Sequence, residues 1–309
     1  MKTILVPTDF SECANNALRF AAFAAKKTGA SLNLLHVLEV PEIGYQGSIE
    51  STVDDVPYMI GLLKAIKAKM KKILSLPFMK GIKVVHNIET GRICDHILKA
   101  VEKYGVDLII MGTHGASILQ EVLIGSNAEK IIQNSHIPVL TIRDKIENPK
   151  IEKIVFATDF SEEAEYTFPE VEKLANLLDA KIEIVKIITK AEFEPTQKTQ
   201  SAIKQFQNKF KHSNYITSTY YDYNKQEGIR NFATNVQADI IALGTHGKHG
   251  LSYFFNNGFA ETMVNHSPIP VLVINFYKKL LKKNAITPKS YDAQLNLDEV
   301  YLRSQIPGI

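Results

Sequence analysis

Apolar residues along this chain come in two alternating arrangements. Short apolar-rich runs at residues 4–6, 32–37, 84–88, 108–111 and 139–142 read as buried strands. Between them, apolar residues recur every three or four positions. Ala14, Ala17, Leu18, Ala21, Ala22 and Ala25 form a small-residue helical stripe, with Ser11 placed to cap its start and Gly29 to end it. Leu63, Ile66, Met70 and Ile73 mark a second amphipathic helix, Ile93, Ile97 and Val101 a third, and residues 128–132 lie on a fourth. Strand and helix alternate, and apolar strands of this kind need cover on both faces. The pattern predicts an α/β domain with a doubly wound, five-stranded parallel sheet.

The pattern then repeats. Ile4-Leu5-Val6-Pro7-Thr8-Asp9-Phe10-Ser11-Glu12 returns as Ile154-Val155-Phe156-Ala157-Thr158-Asp159-Phe160-Ser161-Glu162. Asp107-Leu108-Ile109-Ile110-Met111-Gly112-Thr113-His114-Gly115 returns as Asp239-Ile240-Ile241-Ala242-Leu243-Gly244-Thr245-His246-Gly247, and Ile137-Pro138-Val139 as Ile269-Pro270-Val271. The first block is displaced by 150 positions (Asp9 to Asp159) and the others by 132 (Gly112 to Gly244), so the first copy carries 18 extra residues (150 − 132). The polar loop around Pro41 to Asp55 is the expected place for them. Such ordered blocks mark a duplication. The expected division is a first domain at 1–143, a charged linker at 144–150, a second domain at 151–275 and a C-terminal extension at 276–309. The fifth strands are apolar enough to pair across the two copies, which predicts an intramolecular pseudo-dimer.

Composition agrees with two domains. The chain has 309 residues, 45% hydrophobic and 22% charged, with a net charge of +3. That near-neutral balance points away from nucleic acid or an anionic membrane as the main partner. Cys13 and Cys94 stand far apart without metal or CxxC spacing, so a reducing cytoplasm is expected. A strand begins at the N-terminus, with no apolar stretch of signal-peptide or membrane-span length.

In an open parallel sheet, ligands sit beyond the carboxyl ends of the strands where strand order reverses. Two loops qualify: Thr8-Asp9 after the first strand, and Gly112-Thr113-His114-Gly115 after the fourth. Downstream, Gly125-Ser126-Asn127 opens a helix, giving the spacing Gly112-x2-Gly115-x9-Gly125-Ser126. Glycine lets backbone approach an anion and take positive φ, and a helix start offers free N–H groups, a hydroxyl and a favourable dipole. The set reads as a triphosphate cradle. Each member also has an ordinary reading: turn glycines for Gly112, Gly115 and Gly125, and helix capping for Asp9.

These motifs resemble the universal stress proteins of the ATP-binding subclass. That family carries Gly-x2-Gly-x9-Gly-Ser after the fourth strand and an Asp in a segment like Val6-Pro7-Thr8-Asp9-Phe10-Ser11. The resemblance spans residues 1–143 and 151–275 and implies an adenine nucleotide alpha-hydrolase-like, Rossmann-like fold for each copy. It implies that Asp9 contacts adenosine, that the backbone of Val37 reads the adenine edge, that Gly112 flanks the ribose, and that Gly115, Gly125 and Ser126 hold phosphates. Pro7, Thr8, Met111, His114 and Asn127 complete the implied nucleotide site. ATP is the implied ligand, with Mg2+ held by phosphate oxygens and water rather than by a carboxylate cluster.

The second copy departs from the motif. Gly244 and Gly247 remain, but Asn257, Gly258 and Phe259 replace Gly125, Ser126 and Asn127. Whether that copy binds nucleotide stays open. His114, His246 and His249 sit on loops without a third metal ligand. The lysines between Lys64 and Lys72 read as a solvated helix face. Three functions follow: a nucleotide-binding regulatory protein of the stress response with at most weak ATP hydrolysis, an adenylyl-transfer enzyme, or an interaction module and scaffold with empty sites, homodimeric or not. Thr8-Asp9-Phe10-Ser11 lacks the His-x-Gly-His of adenylyl transfer, which speaks against the second. No residue stands out as a catalytic base.

Overall fold

The apolar runs of the first copy become β1 (Thr3–Pro7), β2 (Ser31–Leu38), β3 (Val84–Thr90), β4 (Leu108–Gly112) and β5 (Val139–Ile142) in a computed structural model of the chain. It describes residues 1–39, 55–113, 125–146, 149–211, 213–245 and 258–275. The helices between the strands are α1 (Glu12–Thr28), α2 (Asp55–Leu74), α3 (Ile93–Tyr104) and α4 (Ser126–Asn134). The second copy supplies β6 (Lys153–Ala157), β7 (Lys181–Ile188), β8 (Tyr215–Tyr221), β9 (Ile240–Thr245) and β10 (Val271–Asn275). Its helices are α5 (Glu162–Leu178), α6 (Thr196–Lys209), α7 (Lys225–Asn235) and α8 (Phe259–His266).

Within each copy the strands are parallel, in the order β3-β2-β1-β4-β5 for the first and β8-β7-β6-β9-β10 for the second. Each copy is doubly wound. Residues of α1, α2, α5 and α6 share one apolar cluster on one face, including Leu18, Met70, Phe168 and Phe206. Residues of α3, α4, α7 and α8 share the other, including Ile97, Ile131, Ile229 and Met263. The expected pairing of fifth strands is present. β5 and β10 run antiparallel, with Leu272 opposite Leu140, so the two sheets fuse into one of ten strands.

Several repeated residues have local structural reasons. Ser11 caps α1 by accepting from Ala14 N–H at 3.1 Å, and Gly29 ends it at φ 72°. Asp107 and Asp239, which head the second repeated block, each tie down the start of their sheet. Asp107 accepts from Lys2 N and Thr3 N, and Asp239 from Glu152 N and Lys153 N. These bonds and nearby Lys173 hold the Asp107 carboxyl below the usual range, although burial alone would raise it.

The extra residues of the first copy are not confined to the loop before α2. The connection there is longer (39–54 against 189–195), but α2 itself has 20 residues where α6 has 14, and the return to β3 is longer too. An amphipathic helix absorbs added turns without losing its apolar stripe, and Ile66, Met70 and Ile73 are buried as expected. Lys64, Lys67, Lys69, Lys71 and Lys72 face solvent.

A reciprocal latch joins the copies beside the β5–β10 seam. Arg143, just past β5, donates to the Asn265 carbonyl at 2.6 Å, and Asn275, at the end of β10, donates to the Gln133 carbonyl at 2.9 Å. These are equivalent positions, since 143 and 275, like 133 and 265, differ by 132. Among the described residues no helix is long and apolar enough to cross a membrane. The extension 276–309 lies outside them.

Candidate functional site

Strand order reverses at β1, which has β2 on one side and β4 on the other, and a cleft of about 780 Å³ opens beyond these strand ends. Nine of the eleven residues expected at the site line it: Pro7, Thr8, Asp9, Val37, Met111, Gly112, Gly125, Ser126 and Asn127. His114 and Gly115 lie outside the described residues. Thr113 and Gly125, the ends of the loop that holds them, are joined by a 2.8 Å bond from Gly125 N to the Thr113 carbonyl.

The turn after β1 is built by its own side chains. Thr8 Oγ1 accepts from Phe10 N at 3.1 Å and Asp9 Oδ1 accepts from Ser11 N at 3.0 Å. Phe10 is thereby held at φ 67°, a left-handed conformation costing a bulky residue about 1–2 kcal/mol. Its ring lies 4.6 Å from His36, whose Nδ1 donates to the Thr8 carbonyl at 2.7 Å. The second copy repeats this turn, with Thr158 and Asp159 bonded alike and Phe160 at φ 63°. Asp9 therefore has a structural duty beside any ligand contact.

Strand β2 outlasts β1. Thr8 N donates to the Leu35 carbonyl at 2.8 Å, so the backbone of Leu35 faces β1. With a period of two, Val37 faces the same side, past the point where β1 has ended. Its peptide groups border the cleft edge-on. Leu35, Val37, Ile93, Ile97 and Met111 give the cleft an apolar wall, and the start of α4 lines it as well. The first intrahelical bond runs from Glu129 N to the Gly125 carbonyl, so the N–H groups of Ser126, Asn127 and Ala128 precede it and have no partner within the helix.

Gly112 and Gly125 have explanations other than positive φ. Gly125 sits at φ −59°, ψ 135°, open to any residue. Gly112 is required by packing: a Cβ there would meet Cys13 Sγ at 2.8 Å and the α1 backbone at 3.0 and 3.1 Å. Its hydrogen in place of a side chain lets the start of α1 close on β4. Sequence reasoning passed over Ala14, Leu35, Ile93, Ile97 and Thr113, which also line the cleft. The stripe of α3 marks an amphipathic helix, and Ile93 and Ile97 on its first turns also line the cleft. Cys94, beside them, lies 3.5 Å from Asn127 Oδ1, and burial pushes its thiol up against the opposing pull of Lys130.

A sequence model described as the Universal stress protein family matches residues 1–143 and again 150–275. The chain belongs to the universal stress protein family. Universal stress protein MJ0577 of Methanocaldococcus jannaschii is 35% identical over 157 residues, which is 47% of this chain and 96% of that one. Universal stress protein MJ0531 of the same organism is 33% identical over 146 residues, 46% of this chain and 82% of that one. Each of these relatives thus matches about one copy. The crystal structure of a universal stress protein from Archaeoglobus fulgidus superposes with a TM-score of 0.65 at 20% identity, covering 89% of this chain and 98% of that one. That likeness establishes the fold across both copies.

The second universal stress protein domain treats the equivalent region differently. Its fourth helix starts one residue later, after Gly258 at φ 95°, and Phe259 in place of Asn127 is buried among Ile187, Ile229 and Leu243. Asn257 lies outside the described residues. Lys225 takes the position of Ile93 and pairs with Glu192 at 2.5 Å. Burial lowers its ammonium below the usual lysine value despite that partner.

Lys186 replaces His36 and pairs, buried, with Glu194, which Thr199 and Lys198 also contact. Burial alone would raise the Glu194 carboxyl, but these donors outweigh it and hold it at about 2. A depressed acid stabilises the fold above its unfolded value, here 4.5, and that contribution disappears as pH falls towards 2. Glu194→Gln is therefore expected to cost on the order of 3 kcal/mol at pH 6, because it strands a buried ammonium. The gap to wild type should narrow between pH 4.5 and 2. Urea midpoints across that range check it; a gap independent of pH rejects the assignment.

Proposed function

We propose that the first universal stress protein domain binds ATP in the cleft between the ends of β1, β2 and β4, and that occupancy regulates contacts of the chain rather than feeding a dedicated catalyst. The observation that carries this reading is the joint lining of one cleft by Thr8, Asp9, Val37 and the Gly125–Ser126 helix start. An adenine nucleotide is flat and apolar at one end and polyanionic at the other. The cleft combines apolar side chains and bordering peptide groups with a helix start, so the donor chemistry fits.

In this reading Leu35, Val37, Ile97 and Met111 enclose the base, Val37 reads its edge, Asp9 meets the ribose, and residues 125–127 hold phosphates. Pro7, Thr8 and Gly112 shape the wall, and His114 and Gly115 complete the cradle. Among the described residues no group of three His, Cys, Asp or Glu side chains is placed to hold a metal. Mg2+ would thus ride on phosphate oxygens and water, where it offsets their charge. The described part of the cleft nominates no general base, which favours binding over turnover.

One site per chain is expected. Phe259 is buried at the position where Asn127 lines the first cleft, and Lys225, paired with Glu192, takes the position of Ile93. Calorimetric titration of the full chain with Mg-ATP should give a stoichiometry near one. Folded protein that takes up no ATP at millimolar nucleotide ends the proposal, and two equal sites overturn its assignment to the first domain.

A further inference from the structure

The ten-stranded sheet has two outer strands, β3 and β8, and among the described residues nothing pairs beyond either. Proteins usually blunt such edges with charge. At β3 this rule is kept, since Glu89 lies within the strand. At β8 it is not. Residues 213–221, Ser-Asn-Tyr-Ile-Thr-Ser-Thr-Tyr-Tyr, carry no charge at all. Ile216 is 61% exposed and Tyr221 67% exposed.

The geometry points to β8 as a self-pairing edge that joins two copies of this chain into a dimer with one continuous sheet. Asp222 N donates to the Ile188 carbonyl, so the backbones of Ile216, Ser218, Tyr220 and Asp222 face β7. Those of Tyr215, Thr217, Thr219 and Tyr221 face outward. An antiparallel partner with its two-fold axis at Ser218 sets Thr217 against the partner's Thr219 and Tyr215 against its Tyr221. Every outward N–H and C=O of these four residues then meets an outward group of the other strand.

The side chains agree with the same register. Thr217 with Thr219, Ile216 with Tyr220, and Tyr215 with Tyr221 are Thr–Thr, β-branched–aromatic and aromatic–aromatic pairs, the kinds that stabilise opposed strands. The strand is close to a palindrome about Ser218, so one axis satisfies all three. Tyr215 packs against Phe168 and Phe206, and Tyr220 against Phe232. Each helical layer therefore continues into its own kind across the axis. The same operation about Asn87 in β3 would oppose Val85 with Glu89, an apolar residue with a charge. The joining of β5 to β10 shows this fold already accepting an antiparallel seam between edges.

Light scattering coupled to gel filtration of the full chain tests it. The wild type should run at twice 34.6 kDa. Thr219→Pro removes an outward N–H without touching the ladder to β7, a placement edge strands tolerate, and should halve the mass with an unchanged circular dichroism spectrum. Thr219→Lys, which sets two ammonium groups diagonally across the seam, should do the same and carries the test should proline unfold the strand. His86→Pro, the outward position on β3, should leave the dimer intact. A monomeric wild type overturns the inference, as does a dimer that survives both Thr219 variants or dissociates with His86→Pro.

Discussion

Gly125→Val combined with Ser126→Ala is expected to weaken ATP binding by about 100-fold or more while leaving the protein folded. The backbone at residue 125, φ −59° and ψ 135°, suits valine, and Gly125 N still reaches the Thr113 carbonyl. Ser126 is exposed, so alanine costs the fold little. What changes is the start of α4. An isopropyl group stands where a phosphate must approach peptide N–H groups, and one hydroxyl donor is gone. A hydrogen bond to a charged group contributes about 1.5–3 kcal/mol, and each 1.4 kcal/mol is tenfold in affinity. Losing one such bond and lengthening others reaches two orders of magnitude. Titration calorimetry with a circular dichroism check reads the outcome, and equal affinity in wild type and variant would move the phosphate site elsewhere.

The duplication makes plain which parts of the fold and site a sequence discloses. Strands, helices and the cross-copy seam were legible because they rest on periodicity: alternate layers of apolar side chains leave a signal in every element. The turn after β1 was legible as a motif but not in its purpose. Thr8, Asp9 and Phe10 persist in the second copy because the left-handed Phe needs its two side-chain acceptors, and that holds whether or not a ligand binds. Gly112 was legible as a requirement but its packing role was not, since the approach of Cys13 in α1 is a tertiary contact between residues 99 apart in sequence. Ile93 and Ile97 were hidden for the opposite reason. A helix stripe facing a cleft and one facing a core have the same period, and only the position of α3 over the end of β1 separates them.

The copies have also diverged unequally, and the direction of change follows the chemistry. Where the first has His36 beneath the turn after β1, and Ile93 and Asn127 lining the cleft, the second has Lys186, Lys225 and Phe259. Each lysine pairs with a carboxylate, Glu194 or Glu192, and both carboxylates come from the connection 189–195 after β7. A buried ammonium without such a partner is costly, so these substitutions had to arrive in pairs. The second domain keeps the shared sheet and the latch through Asn275, and its role in the proposed function is to complete the core that the first domain opens at β5.

That shared core sets the second large effect. Leu272→Ala, in the second copy, is expected to destabilise the whole chain by about 2–5 kcal/mol, the usual loss for a buried leucine. Leu272 is fully buried opposite Leu140, in a cluster that also contains Ile4, Ile110, Ile154 and Leu174 from both copies. Removing its side chain exposes a cavity to the first domain as much as to its own. Leu140→Ala should cost a similar amount, and because the two residues touch across the seam, the double variant should depart from additivity by about 0.5–3 kcal/mol. Under the proposed function, ATP in the first domain would stabilise whatever unfolds with it. A single urea transition, lowered by Leu272→Ala and raised again by ATP, is the expected result. Two separate transitions, with Leu272→Ala moving one and ATP the other, would mean that the β5–β10 seam joins the domains without coupling them, and control of second-domain contacts by a first-domain nucleotide would then have no physical route through the sheet.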